Sequence, residues 1–505
     1  MDRLYTAMEN SLAHFIYDFN ENCLALKDSP CAWELFLDAG DTCMDIDGTW
    51  KALGKTELWE MLTSMQEKQK AMGRTFFIFA SSPAYDCEGT RGRLSCDTYV
   101  YVYEKEGGGG LGCQLRIMRM DLAFLWSEGA ARICECQWRT IQTMEPWSDP
   151  GKRGEMGVPL GAALRDKGLL GLSGVQSPEA YVLLKKLANR LWDRLLENTE
   201  ELFENEAEAT RLKTFFQTAD EARPPVVISG PVSVELSQSG FSARVVAVVE
   251  VFKVKQGGGG SVVERSFAYV RLLAGKNGGS WKICSAQART VFVLPDTAYT
   301  PGVRYDKFSC GLLPWTLHNH NQTGQWIGDS YAIENIINQW VYACRRGELT
   351  KFFEKYMADE AFVPKMWIKS QGEGTPKLEG TEAIQARLEG MDRHFVNRMY
   401  SYHTATTPLI EISSDGQSAT GTWYDHSATN LSSEAISPTK IPYMVFVARY
   451  VHKFRKFHGQ WYLTDFFWEP LIHLEPWHFD LNRSKGWVQL DGAGNYPQVF
   501  AFLRK

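Results

Sequence analysis

The phrase WEPLIHLEPW (Trp468–Trp477) has a near-copy 330 positions earlier, WRTIQTMEPW (Trp138–Trp147). A weaker version, ARTVFVLPD, runs from Ala288 to Asp296. Three copies of one strand-like phrase predict one domain written three times. Length agrees: 505 residues exceed what a single core supports, and roughly 150 residues per domain predicts about three.

Outward from the phrase, each copy has the same surroundings. Just upstream, Gly129-Ala130-Ala131, Gly279-Ser280-Trp281 and Gly459-Gln460-Trp461 open the last strand. Further upstream lie alternating runs such as Tyr99-Val100-Tyr101-Val102-Tyr103 and the stretch from Val245 to Val254; period-two alternation predicts long strands. Two of these runs end in four glycines, Gly107–Gly110 and Gly257–Gly260. With no Lys-Ser/Thr or helix start after them, they read as hairpin tips and not as a phosphate cradle. Earlier still stand Ala80-Ser-Ser-Pro83, Ile228-Ser-Gly-Pro231 and Ala405-Thr-Thr-Pro408. A proline inside a strand pattern predicts an edge or bulge, which bends a sheet.

Each copy opens on an amphipathic helix. The stripes are Met8, Leu12, Phe15, Ile16, Phe19; Leu183, Leu184, Leu187, Leu191, Leu195; and Ile333, Ile336, Ile337, Trp340, Val341, Cys344. Such spacing demands a buried face. Leu53-Gly-Lys-Thr-Glu57 and Leu378-Glu-Gly-Thr-Glu382 each lead into a second helix, whereas repeat two has a Glu-rich stretch from Glu197 to Glu208 instead. The predicted organisation is α+β: three tandem cone-shaped domains, each a curved antiparallel sheet packed against helices. Their bounds are 1–150, 175–297 and 329–482, with a C-terminal tail over 483–505.

Composition narrows the function. The net charge is −6 and the basic group Lys453, Arg455, Lys456 is small, which argues against nucleic-acid binding. No apolar run is long enough to span a bilayer, and the polar residues in MDRLYTAMEN argue against a secretory signal. Eleven cysteines without a CxxC pair read as core residues of a cytoplasmic protein.

The helix order, the Leu-x-Gly-x-Glu landmark, His403 before the small-small-Pro bend, and the closing Gly459-Gln-Trp-Tyr-Leu463 resemble the nuclear transport factor 2-like superfamily, in particular its SnoaL-like (polyketide cyclase and scytalone dehydratase-like) branches. The resemblance is best in repeat three. It implies a pocket between sheet and helices and cofactor-independent proton transfer on a hydrophobic oxygenated ring: dehydration, isomerisation or cyclisation. Because the superfamily also holds proteins that only bind, a non-catalytic ligand-binding or assembly module is the alternative.

Nine of ten histidines fall between His318 and His478, and histidine is the side chain most readily poised as a base near neutral pH. The resemblance places the base at His403, where the other repeats have Ile78 and Val226. The resembling dehydratases carry a Tyr and an Asp near the end of the first helix. Here those places hold Cys344 and Arg345; Arg345 suits an anionic or enolate oxygen rather than a base. On the next strand Tyr424 and His426 alternate with Trp423 and Asp425. Either Asp425 or His426 can therefore partner His403, but not both from one face. Tyr342 or Tyr402 would donate to a substrate oxygen, and Trp423, Tyr424 and Glu469 complete the candidate lining. His318 and His320 lack a third ligand, so no metal site is expected. His452 and His458 read as solvated flanks of a basic hairpin, and His473 and His478 as part of a structural clasp. Tyr17-Asp18 on the first helix reads as structural. The expected partners are a small hydrophobic or aromatic ligand, the repeats themselves, and a second copy of the chain in a homo-oligomer.

Overall fold

The computed structural model describes residues 2–25, 35–72, 74–105, 111–127, 129–144, 155–156, 177–193, 200–217, 225–237, 239–257, 260–293, 297–298, 325–369, 375–397, 401–430 and 440–480. They form a mixed α+β chain with seven α-helices and three curved sheets among the described residues. Contacts divide it into two compact units, Met1–Thr297 and Ala298–Lys505. Most of the predicted glycine tips and the His318–His320 connector lie outside the described residues.

The first sheet follows α1 (Asp2–Ala25) and contains β1 (Cys43–Ile46), β2 (Trp50–Leu53), β3 (Arg74–Ala80), β4 (Ala84–Glu88), β5 (Arg91–Lys105), β6 (Leu111–Ser127) and β7 (Ala130–Met144), with α2 (Gly54–Ala71) after β2. Its order is β2-β1-β7-β6-β5-β3, with β4 also on β5. The second contains β8 (Glu155–Met156), α3 (Pro178–Asp193), α4 (Glu206–Phe216), β9 (Val226–Leu236), β10 (Ser242–Gly257), β11 (Gly260–Asn277), β12 (Ser280–Val293) and β13 (Thr297–Ala298). Here α4, capped by the Asn205 side chain on Ala207 N, stands where the Glu-rich stretch hid a helix.

The third sheet has α5 (Gln325–Arg346), α6 (Leu349–Tyr356), β14 (Lys365–Ile368), β15 (Leu378–Glu379), α7 (Thr381–Asn397), β16 (Ser401–Tyr402), β17 (Thr406–Ile412), β18 (Ser418–Asn430), β19 (Lys440–Phe457) and β20 (Gln460–Asp480). Its order, β15-β14-β20-β19-β18-β16 with β17 on β18, repeats that of the first sheet. Register repeats too: β1 pairs parallel to β7 with Ile46 opposite Trp138, and β14 pairs parallel to β20 with Ile368 opposite Trp468.

The helix stripes bury as their spacing demands. Met8, Leu12, Phe15, Ile16 and Phe19 on α1 are buried, as are Ile333, Ile337, Trp340 and Cys344 on α5. At the second landmark Gly54 and Gly380 take positive φ, +80° and +93°, a conformation costly to any residue with a β-carbon. This lets the chain turn from strand straight into α2 and α7. The small-small-Pro segments bend their strands in different ways. In the first sheet Ser81–Pro83 separates β3 from β4, and in the third Thr407 takes φ +53° at a register shift between Thr406 and Leu409. In the second, β9 runs on through Pro231 and the shift sits opposite, between Ala247 and Val249.

Within the first unit the two sheets meet through aromatic rings: Phe77 and Tyr101 lie 4.8 and 4.9 Å from Phe267, and Tyr17 lies 5.2 Å from Tyr269. Buried Arg265 donates to Glu250 and to Tyr101 Oη at 3.0 Å, and Lys185 Nζ reaches Glu9 at 2.6 Å. His14 Nε2 lies 2.9 Å from Ser233 Oγ across the same contact. Burial, and then the Arg244 charge, pull His14 down to about 4, so it stays neutral near pH 7.

Candidate active site

β18 alternates, and one face carries Trp423, Asp425 and Ser427. That face meets the helices: Trp423 belongs to the core cluster of Trp340, Ala405, Tyr450, Phe466 and Trp468. Asp425 is fully buried there. An ionised carboxylate in such a place needs several donors, and Asp425 has five. His403 Nδ1 lies 2.8 Å from Oδ2, Tyr450 Oη donates to Oδ2 at 3.0 Å and Trp468 Nε1 at 3.2 Å. Thr404 N donates to Oδ1 at 3.0 Å, and the Ser427 hydroxyl donates to the same oxygen.

The backbone at His403 explains how the ring arrives. The ladder of β16 ends at Tyr402 opposite Ala428, and β17 resumes at Thr406 opposite Tyr424. In the gap, Thr404 Oγ1 takes over the ladder, donating to His426 O and accepting from His426 N, both at 3.0 Å. The chain thus stays on the sheet while its own N–H turns to Asp425. His403 keeps 12 % of its side chain exposed, whereas Asp425 keeps none, so the dyad runs from the edge of the core inward.

The hydrogen bonds also set the tautomer. Ser427 spends its proton on Asp425 and can only accept from His403 Nδ1, 3.0 Å away. Nδ1 therefore carries the proton, shared between Asp425 and Ser427, and Nε2 is the basic nitrogen. Burial pushes the Asp425 carboxyl up, but the His403 charge and the bonds from His403, Ser427 and Thr404 outweigh it, and its pKa falls below the ordinary value. Burial, then the Asp425 charge, pushes the Tyr450 phenol well above its ordinary range. Tyr450 is thereby a neutral donor.

Other candidates stand differently. His426 and Tyr424 are buried on the opposite face of β18, and the His426 backbone bonds Thr404 beside the dyad. Glu469 is also buried, with its carboxylate 3.7 Å from Lys369 Nζ. Tyr342 on α5 is buried; the side chains of Tyr402 and Arg345 lie outside the described residues, as do those of His473 and His478. His458 is exposed, but His452 is not a solvated flank: it is fully buried. Its Nδ1 accepts from Phe467 N at 3.3 Å and its ring lies 4.5 Å from Phe466. Burial holds its pKa down at about 3. The exposed Lys453 and Arg455 alternate with the buried His452 and Phe454, and this period-two pattern was the signal to read.

Ser427, Tyr450, Trp468 and Thr404 are site residues that sequence reasoning did not single out. Alternation from Asp425 reaches Ser427 directly; the others become visible only once strands are paired. Trp423 carries a further constraint. A β-carbon on Gly421 would sit 2.3 Å from Trp423 Cη2, so the indole occupies space that only a glycine leaves open.

Among the described residues no group of three His, Cys, Asp or Glu is placed to hold a metal, and no helix is long and apolar enough to cross a membrane. Residues 327–466 match the family model of a SnoaL-like domain. No curated protein matches the chain. Solved structures that resemble part of it include a candidate scytalone dehydratase from Novosphingobium aromaticivorans, at 13% identity over 31% of this chain and 91% of that one, TM-score 0.23. An NTF2-like protein with a cystatin-like fold from the same organism matches at 15% identity over 27% and 81%, TM-score 0.22. A protein with a cystatin-like fold from Caulobacter vibrioides matches at 11% over 27% and 89%, TM-score 0.21. The His403–Asp425 pair lies inside the SnoaL-like domain.

Proposed function

We propose that the chain is three copies of one cone-shaped α+β domain, and that the SnoaL-like copy is a lyase or isomerase working by general acid/base proton transfer without a cofactor. The observation that carries this reading is His403 Nδ1 at 2.8 Å from a buried carboxylate that four other groups hold in place. Asp425 fixes the tautomer and orientation of the ring and stabilises the imidazolium that forms when Nε2 takes a proton. The aromatic surroundings favour a hydrophobic ring substrate with an oxygen that activates a neighbouring C–H. His403 Nε2 takes the proton from carbon. Its return to a leaving hydroxyl gives water and a double bond; its return to a different carbon gives an isomer.

Solvent exchange tests this without knowledge of the natural substrate. Incubating the full chain in D2O with a panel of cyclic ketones and hydroxyketones should give enzyme-dependent deuterium incorporation by mass spectrometry. His403→Ala and Asp425→Asn should each reduce it by about 10²–10⁴-fold, the usual weight of a general base. No exchange above background with any panel member would leave the second reading, a binding or assembly module. The packing of Trp340, Trp423, Phe466 and Trp468 into the domain interior favours that alternative.

A further inference from the structure

A half-open cavity of about 200 Å³ lies between the first sheet and its helices. Phe19, Met65, Val100, Met118 and Trp138 form its apolar walls, and Arg116 and Asp47 stand among them. It lies at the level where the SnoaL-like domain holds its dyad. In the two sheets Trp138 takes the place of Trp468, Thr98 of Asp425, Val100 of Ser427 and Ile78 of His403, by equivalent pairing of β5, β6 and β7 with β18, β19 and β20. No base or buried acid remains at those positions, yet the space beside Trp138 is open.

We infer that this cavity is a second ligand site, non-catalytic, for a single-ring aromatic carboxylate or a molecule of that size and charge. Size sets the first limit: an apolar cavity of ~150 Å³ accommodates benzene, so about 200 Å³ takes one ring with a small substituent. Charge sets the second. The Asp47 carboxylate is occupied by Thr140, accepting from its N at 2.5 Å and its Oγ1 at 2.6 Å. Arg116 is the one cation among the described lining residues, and its planar fork has donors for more than one partner. Asp47 and Thr49 are exposed on the turn that flanks the cavity, while Met118 and Trp138 are buried. A ring would therefore enter past the turn and lie against Trp138 and Met118 with its carboxylate towards Arg116.

This inference rests on the first sheet and is independent of the chemistry proposed for the SnoaL-like domain. Benzoate and its neutral analogue toluene, titrated into the full chain and followed by calorimetry, are the probes. Benzoate should bind saturably and about tenfold more tightly than toluene. Arg116→Met should erase that preference, Val100→Phe should fill the cavity and abolish binding of both, and His403→Ala should leave both affinities unchanged. Because Val100→Phe can also disturb folding, crystals of the unaltered chain soaked in 4-bromobenzoate provide an independent reading: the bromine peak should lie beside Trp138. Absence of saturable binding, survival of binding in a folded Val100→Phe variant, or a bromine peak elsewhere would overturn the inference.

Discussion

The first sheet and the SnoaL-like domain make the same hydrogen bond with different acceptors. Trp138 Nε1 donates to Thr98 Oγ1 at 2.9 Å, and Trp468 Nε1 donates to Asp425 Oδ2 at 3.2 Å. Both tryptophans sit in the closing strand, and both acceptors sit two strands away on the inner face. In the first case the bond joins two neutral groups and holds strands together. In the second, the same indole is one of five donors around a negative charge, and that charge has a histidine to act on. Either sheet thus supplies an indole donor; the residue at the acceptor position decides whether it serves packing or charge.

The comparison can be broken at several points. The largest effect is expected from giving the SnoaL-like domain the residues of the first sheet. His403→Ile or Asp425→Thr should lower deuterium exchange by about 10²–10⁴-fold, with the melting temperature recorded alongside to separate lost chemistry from lost folding. The reverse change, Thr98→Asp, buries a carboxylate where no histidine stands. It should cost about 3–5 kcal/mol at neutral pH in denaturant unfolding, and a neutral result would show that the first sheet can also hold a charge.

Acid should act on the buried histidines before the dyad. An unfolded histidine takes its proton near pH 6.5, whereas His14 holds out to about 4 and His452 to about 3. The unfolded chain therefore binds more protons in that interval, and stability falls as pH drops through it, by roughly 3 kcal/mol for His14. His14→Gln, which can still reach Ser233, should flatten the slope between pH 6.5 and 4 in thermal melts. Asp425 behaves differently. Its folded pKa is depressed, so its contribution is present above the ordinary carboxylate pKa and lost only as pH falls through the lowered value. The smallest difference is expected from the indoles. Trp138→Phe removes a neutral hydrogen bond, of order 1 kcal/mol, and Trp468→Phe one to a charged group, of order 2 kcal/mol; equal losses would erase the distinction drawn above.

Much of the architecture was legible because its signals are local. The helix stripes, the Leu-x-Gly-x-Glu turns and the repeated closing phrase each follow from a period or a φ requirement within a few residues. The dyad was half legible: strand alternation restricts the partner of His403 to one of two faces, but which face meets the helices depends on pairing. Tyr450 lies 25 residues from Asp425, and β19 and β20 slip register between Lys453 and Phe454 and again between Val447 and Ala448. Each such slip changes the side on which every later residue falls. His452 was hidden by its charged neighbours, although the strand buries every second residue from Tyr450 to Arg455.

Gly421 and Trp423 have a consequence for ancestry. At the equivalent register positions the first sheet has Leu94 and Cys96, and the second has Val245 and Ala247. In the first two sheets the larger residue of the pair precedes the smaller, and in the SnoaL-like domain the order is reversed. Because the indole fills the space of the missing side chain, neither site can drift alone. A substitution at one must be answered at the other, so the two should co-vary through descent, with Gly421 marking the lineages that keep Trp423 beside Asp425.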